Sequence, residues 1–247
     1  MGSMSLPKAL PTINFSLEDL EAWDLFQVPL ENKVKNISEE PYRGYIGPNP
    51  LMPLYEGMAI DNVTCPQETQ KFRDLMWPHG KSKFCEITDL FAKLLGDLEH
   101  TVERMLFESF QIPQEQYESL ASSNTHLLRF LKYRAPEDSD TIVRFPGHTD
   151  RNLTTIVVQH DVGGLEVRIK DGDWISVESA PSQFLFMAGD GLQVWRNDRV
   201  KACHHPVKHC GDKTRYSLGM FTFNKWRIPK EAKKAESPIK AYCGVKN

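Results

Sequence analysis

The hydrophobic period of the chain changes near residue 124. Before it, Phe84, Ile87, Phe91, Leu94, Leu95, Leu98, Val102, Met105 and Leu106 recur at three-and-four spacing with charges on the opposite face. That spacing predicts one long amphipathic helix, starting near Ser82 as N-cap and laid across a sheet. Residues 66–77 predict a shorter helix, stopped by Pro78-His79-Gly80. No glycine marks the end of the long helix; Gln111 stands before Ile112-Pro113 instead. After Asn124 the runs become short: residues 127–133, 154–159, 165–169, 173–177, 184–187, 193–195, 202–207 and 215–223 read as strands. Gly163-Gly164, Asp171-Gly172-Asp173, Gly189-Asp190-Gly191 and Asn197-Asp198 are the turn signals between them. Strands at this spacing indicate a sandwich or barrel, of which the double-sheet jelly roll is one form.

The rest of the chain has weaker patterning. Residues 41–61 hold four prolines and three glycines among Tyr42, Tyr45 and Tyr55, which predicts an ordered, irregular loop packed on something. Residues 10–15 could form a short strand, and the segment from Lys230 lacks an apolar pattern. The expected organisation is an irregular and helical region over 1–125, a strand-rich domain over 126–226 and a weakly packed tail over 227–247.

Composition narrows the class without naming a function. At 247 residues, 40% hydrophobic and 26% charged, the chain can bury a sizeable core. A formal net charge of −3 gives no reason to expect nucleic acid as a partner. No apolar run approaches the ~20 residues of a membrane span, and the first residues lack the apolar core of a signal peptide. Five scattered cysteines without Cys-x-x-Cys spacing fit reduced thiols. Together these features predict a cytoplasmic protein with no membrane partner, taken as a monomer. Cys203 and Cys210 flank His204, His205 and His209, but the spacings do not match a structural zinc site.

The candidate chemistry lies in the second half. His148 and Asp150 are two residues apart, so on an extended strand they share a face. A later histidine, with His204, His205 and His209 available, would complete the two-His-one-carboxylate facial triad of non-heme Fe(II). Arg215 and Ser217 share the same alternation and could anchor an acidic cosubstrate. The remaining histidines (His79, His100, His126 and His160) read as solvated surface.

These residues resemble a known family. The segment Pro146-Gly147-His148-Thr149-Asp150-Arg151-Asn152-Leu153-Thr154-Thr155-Ile156 looks like the metal-binding segment of plant Fe(II)/2-oxoglutarate-dependent dioxygenases. Val162-Gly163-Gly164-Leu165, Gly189-Asp190-Gly191-Leu192-Gln193 and Arg215-Tyr216-Ser217-Leu218 continue the match in order. Pro41-Tyr42-Arg43-Gly44-Tyr45 and Pro53-Leu54-Tyr55-Glu56-Gly57-Met58 are similar to the AOP-like branch, relatives of glucosinolate side-chain enzymes. The resemblance implies a double-stranded β-helix, or jelly roll, with a long helix against its major sheet. It implies Fe(II) held by His148, Asp150 and His205, since the family pattern selects His205 by its place before Pro206-Val207 and ten residues ahead of Arg215. Alternation agrees, because His204 would face away.

The resemblance further implies that Arg215 and Ser217 bind the distal carboxylate of 2-oxoglutarate, with Tyr133 adding a hydroxyl contact. Leu131 replaces the family's usual Asn two residues before that tyrosine. The implied reaction uses O2 to oxidise a C–H bond of a small plant metabolite by hydroxylation, desaturation or dealkylation. It gives succinate and CO2, with ascorbate supporting activity. Phe145, Phe221 and Trp195 are candidate walls of the site, and Arg43 and Arg144 candidate contacts to an acidic substrate. The chain departs from the family pattern near its N-terminus, where a stretch between residues 15 and 24 is missing, and at its C-terminus. Those departures raise a second expectation: a shortened, non-catalytic form that retains metal or 2-oxoglutarate binding.

Overall fold

The computed structural model describes residues 24–81, 83–137, 145–169, 172–180, 183–208 and 212–224. After a 3-10 turn at Asp24–Gln27 come α1 (Leu30–Lys33), β1 (Tyr55–Ile60), α2 (Pro66–Met76), α3 (Phe84–Ser109) and α4 (Gln114–Ala121). The strand-rich half then runs β2 (Asn124–Tyr133), β3 (Phe145–His148), β4 (Thr154–Gln159), β5 (Glu166–Arg168), β6 (Trp174–Ser176) and β7 (Leu185–Ala188). A short helix α5 (Asp190–Trp195), β8 (His205–Val207) and β9 (Arg215–Asn224) complete it.

The major sheet has the order β1-β2-β9-β4-β7 with every pair antiparallel. A second layer is built from the pairs β3–β8 and β5–β6. They are joined where Leu165 bridges Val207, Lys208 N–H donates to the Gly164 carbonyl and Arg168 N–H to that of His204. The two layers form a jelly roll, with α2 and α3 against the outer face of the major sheet. Alternation sorts the side chains. Met58, Ile60, Leu128, Phe130, Ile156, Val158, Leu218 and Met220 meet Phe72, Phe84, Phe91 and Leu95 of the helices in one core. Burying each large side chain there contributes about 1.5–3 kcal/mol. The opposite residues face the second layer. β1 belongs to this sheet and the helices share its core, so a boundary at 125/126 divides one hydrogen-bonded body.

Several expectations are corrected. The 41–61 segment is not irregular throughout: Tyr55–Ile60 form β1, an edge strand in which Gly57 lets Tyr55 and Arg129 come close. Residues 193–195 are not a strand but the end of α5. Leu192 is buried and Val194 half exposed, as a helical turn requires and a three-residue alternation could not reveal. α4 was not expected, because only Tyr117 and Leu120 in it are buried. Gln111 takes the left-handed conformation (φ 54°) that glycine usually supplies at a helix end. Ser82, residues 10–15 and the tail lie outside the described residues.

The sheet-facing stripe of α3 also differs from the predicted one. It runs Phe84, Thr88, Phe91, Ala92, Leu95, then Glu99, Glu103 and Phe107, while Met105 points to solvent. Glu99 accepts hydrogen bonds from Thr154 Oγ1 (3.0 Å) and His126 Nε2 (3.5 Å), and Asn124 Nδ2 lies 3.5 Å from Glu103. Burial, and then the charge of Glu99, push the Glu103 pKa up to about 10, so it stays protonated and shares its proton with Glu99. At Glu99 burial opposes ionisation, but hydrogen bonds from His126, Glu103 and Thr154 outweigh it and lower the pKa. His126 is therefore part of a buried network rather than solvated surface. His100 is exposed, as expected, and contacts the Tyr117 hydroxyl.

Candidate metal and cosubstrate site

The backbone brings three ligating groups to the mouth between the layers. β3 and β8 pair so that His148 stands directly opposite His205, with their rings 4.3 Å apart. Between Phe145 and His148 the register slips against Val207 and His205, a bulge that includes Gly147 and re-aims His148. A Cβ on Gly147 would sit 2.6 Å from the His204 ring. Asp150 lies just past the end of β3, in the turn into β4, so strand alternation is not what places it beside His148. Its Oδ1 is 3.7 Å from His148 Nε2 and 3.9 Å from His205 Nε2. One nitrogen or oxygen from each of the three residues falls within 4.8 Å of the others. Among the described residues no other group of histidine, cysteine and acidic side chains does so.

The donor set fits a divalent iron. Two imidazoles and a carboxylate on one side leave the other side open for exogenous ligands. His205 Nδ1 lies 3.0 Å from the Cys203 carbonyl, which makes Nδ1 the donor and leaves Nε2 as the ligating nitrogen. His204 points to the other side, with its ring 5.5 Å from that of Trp174. His209 and Cys210 lie outside the described residues. Burial, then the negative charge of Asp150, raise the pKa of the Cys203 thiol.

Behind the triad the inward faces of β2, β9 and β4 carry a second set. Tyr133 pairs with Arg215, and Leu131, Ser217 and Gln159 form the next row. Arg215 is 1% exposed, and no acidic side chain among the described residues pairs with it. Its Nη1 donates to Ser217 Oγ (3.0 Å) and its Nη2 to Gln159 Oε1 (2.9 Å), while buried Nε has no acceptor among the described residues. Burial lowers its pKa, yet a guanidinium stays charged. A buried cation held only by neutral groups calls for an anion. A carboxylate of the cosubstrate fits that need, because the guanidinium fork can bind it bidentately. The guanidinium lies 5.4 Å from the centre of the Tyr133 ring, whose hydroxyl pKa is raised, chiefly by burial.

The structure thus brings together His148, Asp150 and His205, and separately Tyr133, Arg215 and Ser217. Gln159 was missed, although alternation from Thr155 along β4 points it inward. Of the candidate walls, Phe221 faces inward beside Gly219. Trp195 stacks on Phe107 of α3 at 4.7 Å and belongs to the core, not the site. Nothing is described for the Phe145 side chain. Arg43 pairs with Asp61 (3.1 Å) and covers the Phe223 ring, so it is already engaged. Arg144 lies outside the described residues.

Comparison with known proteins agrees with this geometry. Residues 124–224 match the 2OG-Fe(II) oxygenase superfamily. The chain is 38% identical to the probable 2-oxoglutarate-dependent dioxygenase AOP1.2 of Arabidopsis thaliana over 221 residues, covering 87% of this chain and 66% of that protein. A probable 2-oxoglutarate-dependent dioxygenase AOP1 from the same plant is 37% identical over 220 residues, covering 87% and 70%. The chain thus spans about two thirds of the length of these curated relatives. Among solved structures, dioxygenase for auxin oxidation 1 of Arabidopsis thaliana, as its 2-oxoglutarate complex, superposes with a TM-score of 0.77 at 26% identity. That match covers 85% of this chain and 78% of the other.

Proposed function

The chain belongs to the 2OG-Fe(II) oxygenase superfamily, on its AOP branch, and from that membership we propose that it oxidises a small plant metabolite using Fe(II), 2-oxoglutarate and O2. The observation that carries the proposal is the pairing of a complete facial triad with an Arg215 that has no carboxylate partner among the described residues. His148, Asp150 and His205 would hold the iron, and Arg215 with Ser217 would hold the distal carboxylate of 2-oxoglutarate, with Tyr133 beside them. Iron with 2-oxoglutarate supplies the oxidising chemistry: decarboxylation to succinate and CO2, coupled to oxidation of a C–H bond. The chain's own residues supply placement. The Cys203 carbonyl fixes the His205 tautomer, the β3 bulge turns His148 inward, and the layers around Arg215 exclude water from the cosubstrate's far end.

The AOP relatives and the auxin-oxidising neighbour support a specialised metabolite or hormone-like substrate. Three described cysteines carry free thiols, which supports a reducing, cytosolic setting. No helix among the described residues is long and apolar enough to cross a membrane. The test is a mass-spectrometric substrate screen with iron, ascorbate and 2-oxoglutarate, following succinate. Iron-dependent turnover should vanish in His148→Ala and Asp150→Ala while their melting curves persist. Turnover surviving in both variants would refute the ligand assignment. Tight 2-oxoglutarate binding without any succinate in the unmodified chain would instead mark a non-catalytic binding form.

A further inference from the structure

Asp150 offers two oxygens with different surroundings. Oδ1 faces both imidazoles, at 3.7 and 3.9 Å. Oδ2 lies 2.6 Å from Thr155 Oγ1, a hydroxyl that is 1% exposed. The direction of that bond is settled by Asn152, three residues before Thr155. Asn152, 3% exposed, places Nδ2 2.8 Å from the Thr154 carbonyl, which only an N–H can satisfy, and 2.9 Å from Thr155 Oγ1. The Thr155 oxygen therefore accepts from Asn152, and its single proton goes to Asp150 Oδ2. The competing acceptor, Asn152 Oδ1, is farther away at 3.3 Å.

The backbone of the same turn is clamped independently. Asp190 N–H donates to the Asp150 carbonyl (2.7 Å) and Gly191 N–H to the Asn152 carbonyl (2.9 Å), both from the start of α5. Gly189 is packed so closely that a Cβ there would lie 2.3 Å from the Asn152 carbonyl oxygen. With the backbone held, the freedom left to Asp150 is rotation of its carboxylate. Rotation that brought both oxygens to the metal would consume a coordination position that cosubstrate or O2 needs.

We propose that Thr155, its hydroxyl oriented by Asn152, is a positioning residue that keeps Asp150 a one-oxygen ligand and so preserves the open coordination positions. The assignment rests on the triad being a metal site, and the experiment separates the two. The full chain is titrated with Co(II), followed by calorimetry and by visible absorption, with and without 2-oxoglutarate. Thr155→Val keeps the volume and removes the donor; Thr155→Ser keeps the donor. The valine variant should lose about 10–100-fold in Co(II) affinity, the range for losing such an outer hydrogen bond. Its spectrum should also respond less to added 2-oxoglutarate, and serine should restore both. If valine prevents folding, as seen by circular dichroism, Thr155→Ala against Thr155→Ser isolates the same hydroxyl. Equal affinities and spectra with and without the hydroxyl would overturn the assignment while leaving the metal site intact. An unmodified chain that bound no Co(II) would overturn the site reading and this assignment with it.

Discussion

Replacing Glu103 by Gln should stabilise the protein, against the usual direction for a buried substitution. Glu103 is fully buried on α3 and held as the acid, its pKa pushed up to about 10 from an ordinary 4.5 by burial and by the charge of Glu99. Below pH 4.5 native and unfolded chains both carry the proton, and this residue adds no pH dependence. Between 4.5 and 10 only the native chain keeps it, so stability falls as pH rises, by about 1.4 kcal/mol per pH unit. At pH 7 the accumulated cost is about 3 kcal/mol. Glutamine has the shape of the protonated acid, holds no titrating proton, and its amide can donate to Glu99 as the acid hydroxyl does. Urea unfolding at pH 6, 7 and 8 measures the effect. The variant should gain about 3 kcal/mol at pH 7, and its gain should grow from pH 6 to pH 8. His126 faces Glu99 in both proteins, so its contribution largely cancels from the difference. A variant less stable than its parent, or a gain that does not change with pH, would refute the proton-sharing account. Glu99 acts oppositely and at lower pH: its lowered pKa contributes stability that is lost as pH falls through the acid range.

Arg215→Met should leave Co(II) binding intact and weaken 2-oxoglutarate by about 10–100-fold, as expected when a charge-assisted hydrogen bond of about 1.5–3 kcal/mol is lost; calorimetric titration reads both. Gly189→Ala should cost about 1–3 kcal/mol, because its Cβ would strike the backbone oxygen of Asn152, and should weaken metal binding through the Asp150 turn; thermal melts with and without Co(II) test this. Phe84→Ala should lower stability by about 3–5 kcal/mol, since its ring packs against Phe72, Trp77 and Phe130, and denaturant unfolding will show it.

The parts of this molecule legible in the sequence were those governed by short-range period. The long helix and most inner strands announced themselves through spacing, and alternation separated His205 from His204. Contacts that depend on tertiary placement were not legible. Asp150 reaches the histidines through a turn clamped by α5, and α5 itself read as a strand because three residues cannot distinguish the two periods. The sheet-facing stripe of α3 was misread where Glu99 and Glu103 continue it, since a carboxylate at an inward position looks like surface until its partners are seen. Their four-residue spacing from Leu95 was the available signal. Gln159 was similarly hidden: nothing local marks a glutamine that supports a guanidinium 56 residues away.

His148 and His205 hang from the paired strands of the second layer, whereas Asp150 is tied through Thr155 to β4, inside the major sheet. A cation gripped by all three therefore sutures one layer to the other at the mouth of the sandwich. Chelation would do more than remove reactivity. It would unfasten a seam, removing a link between the two layers that the metal alone supplies.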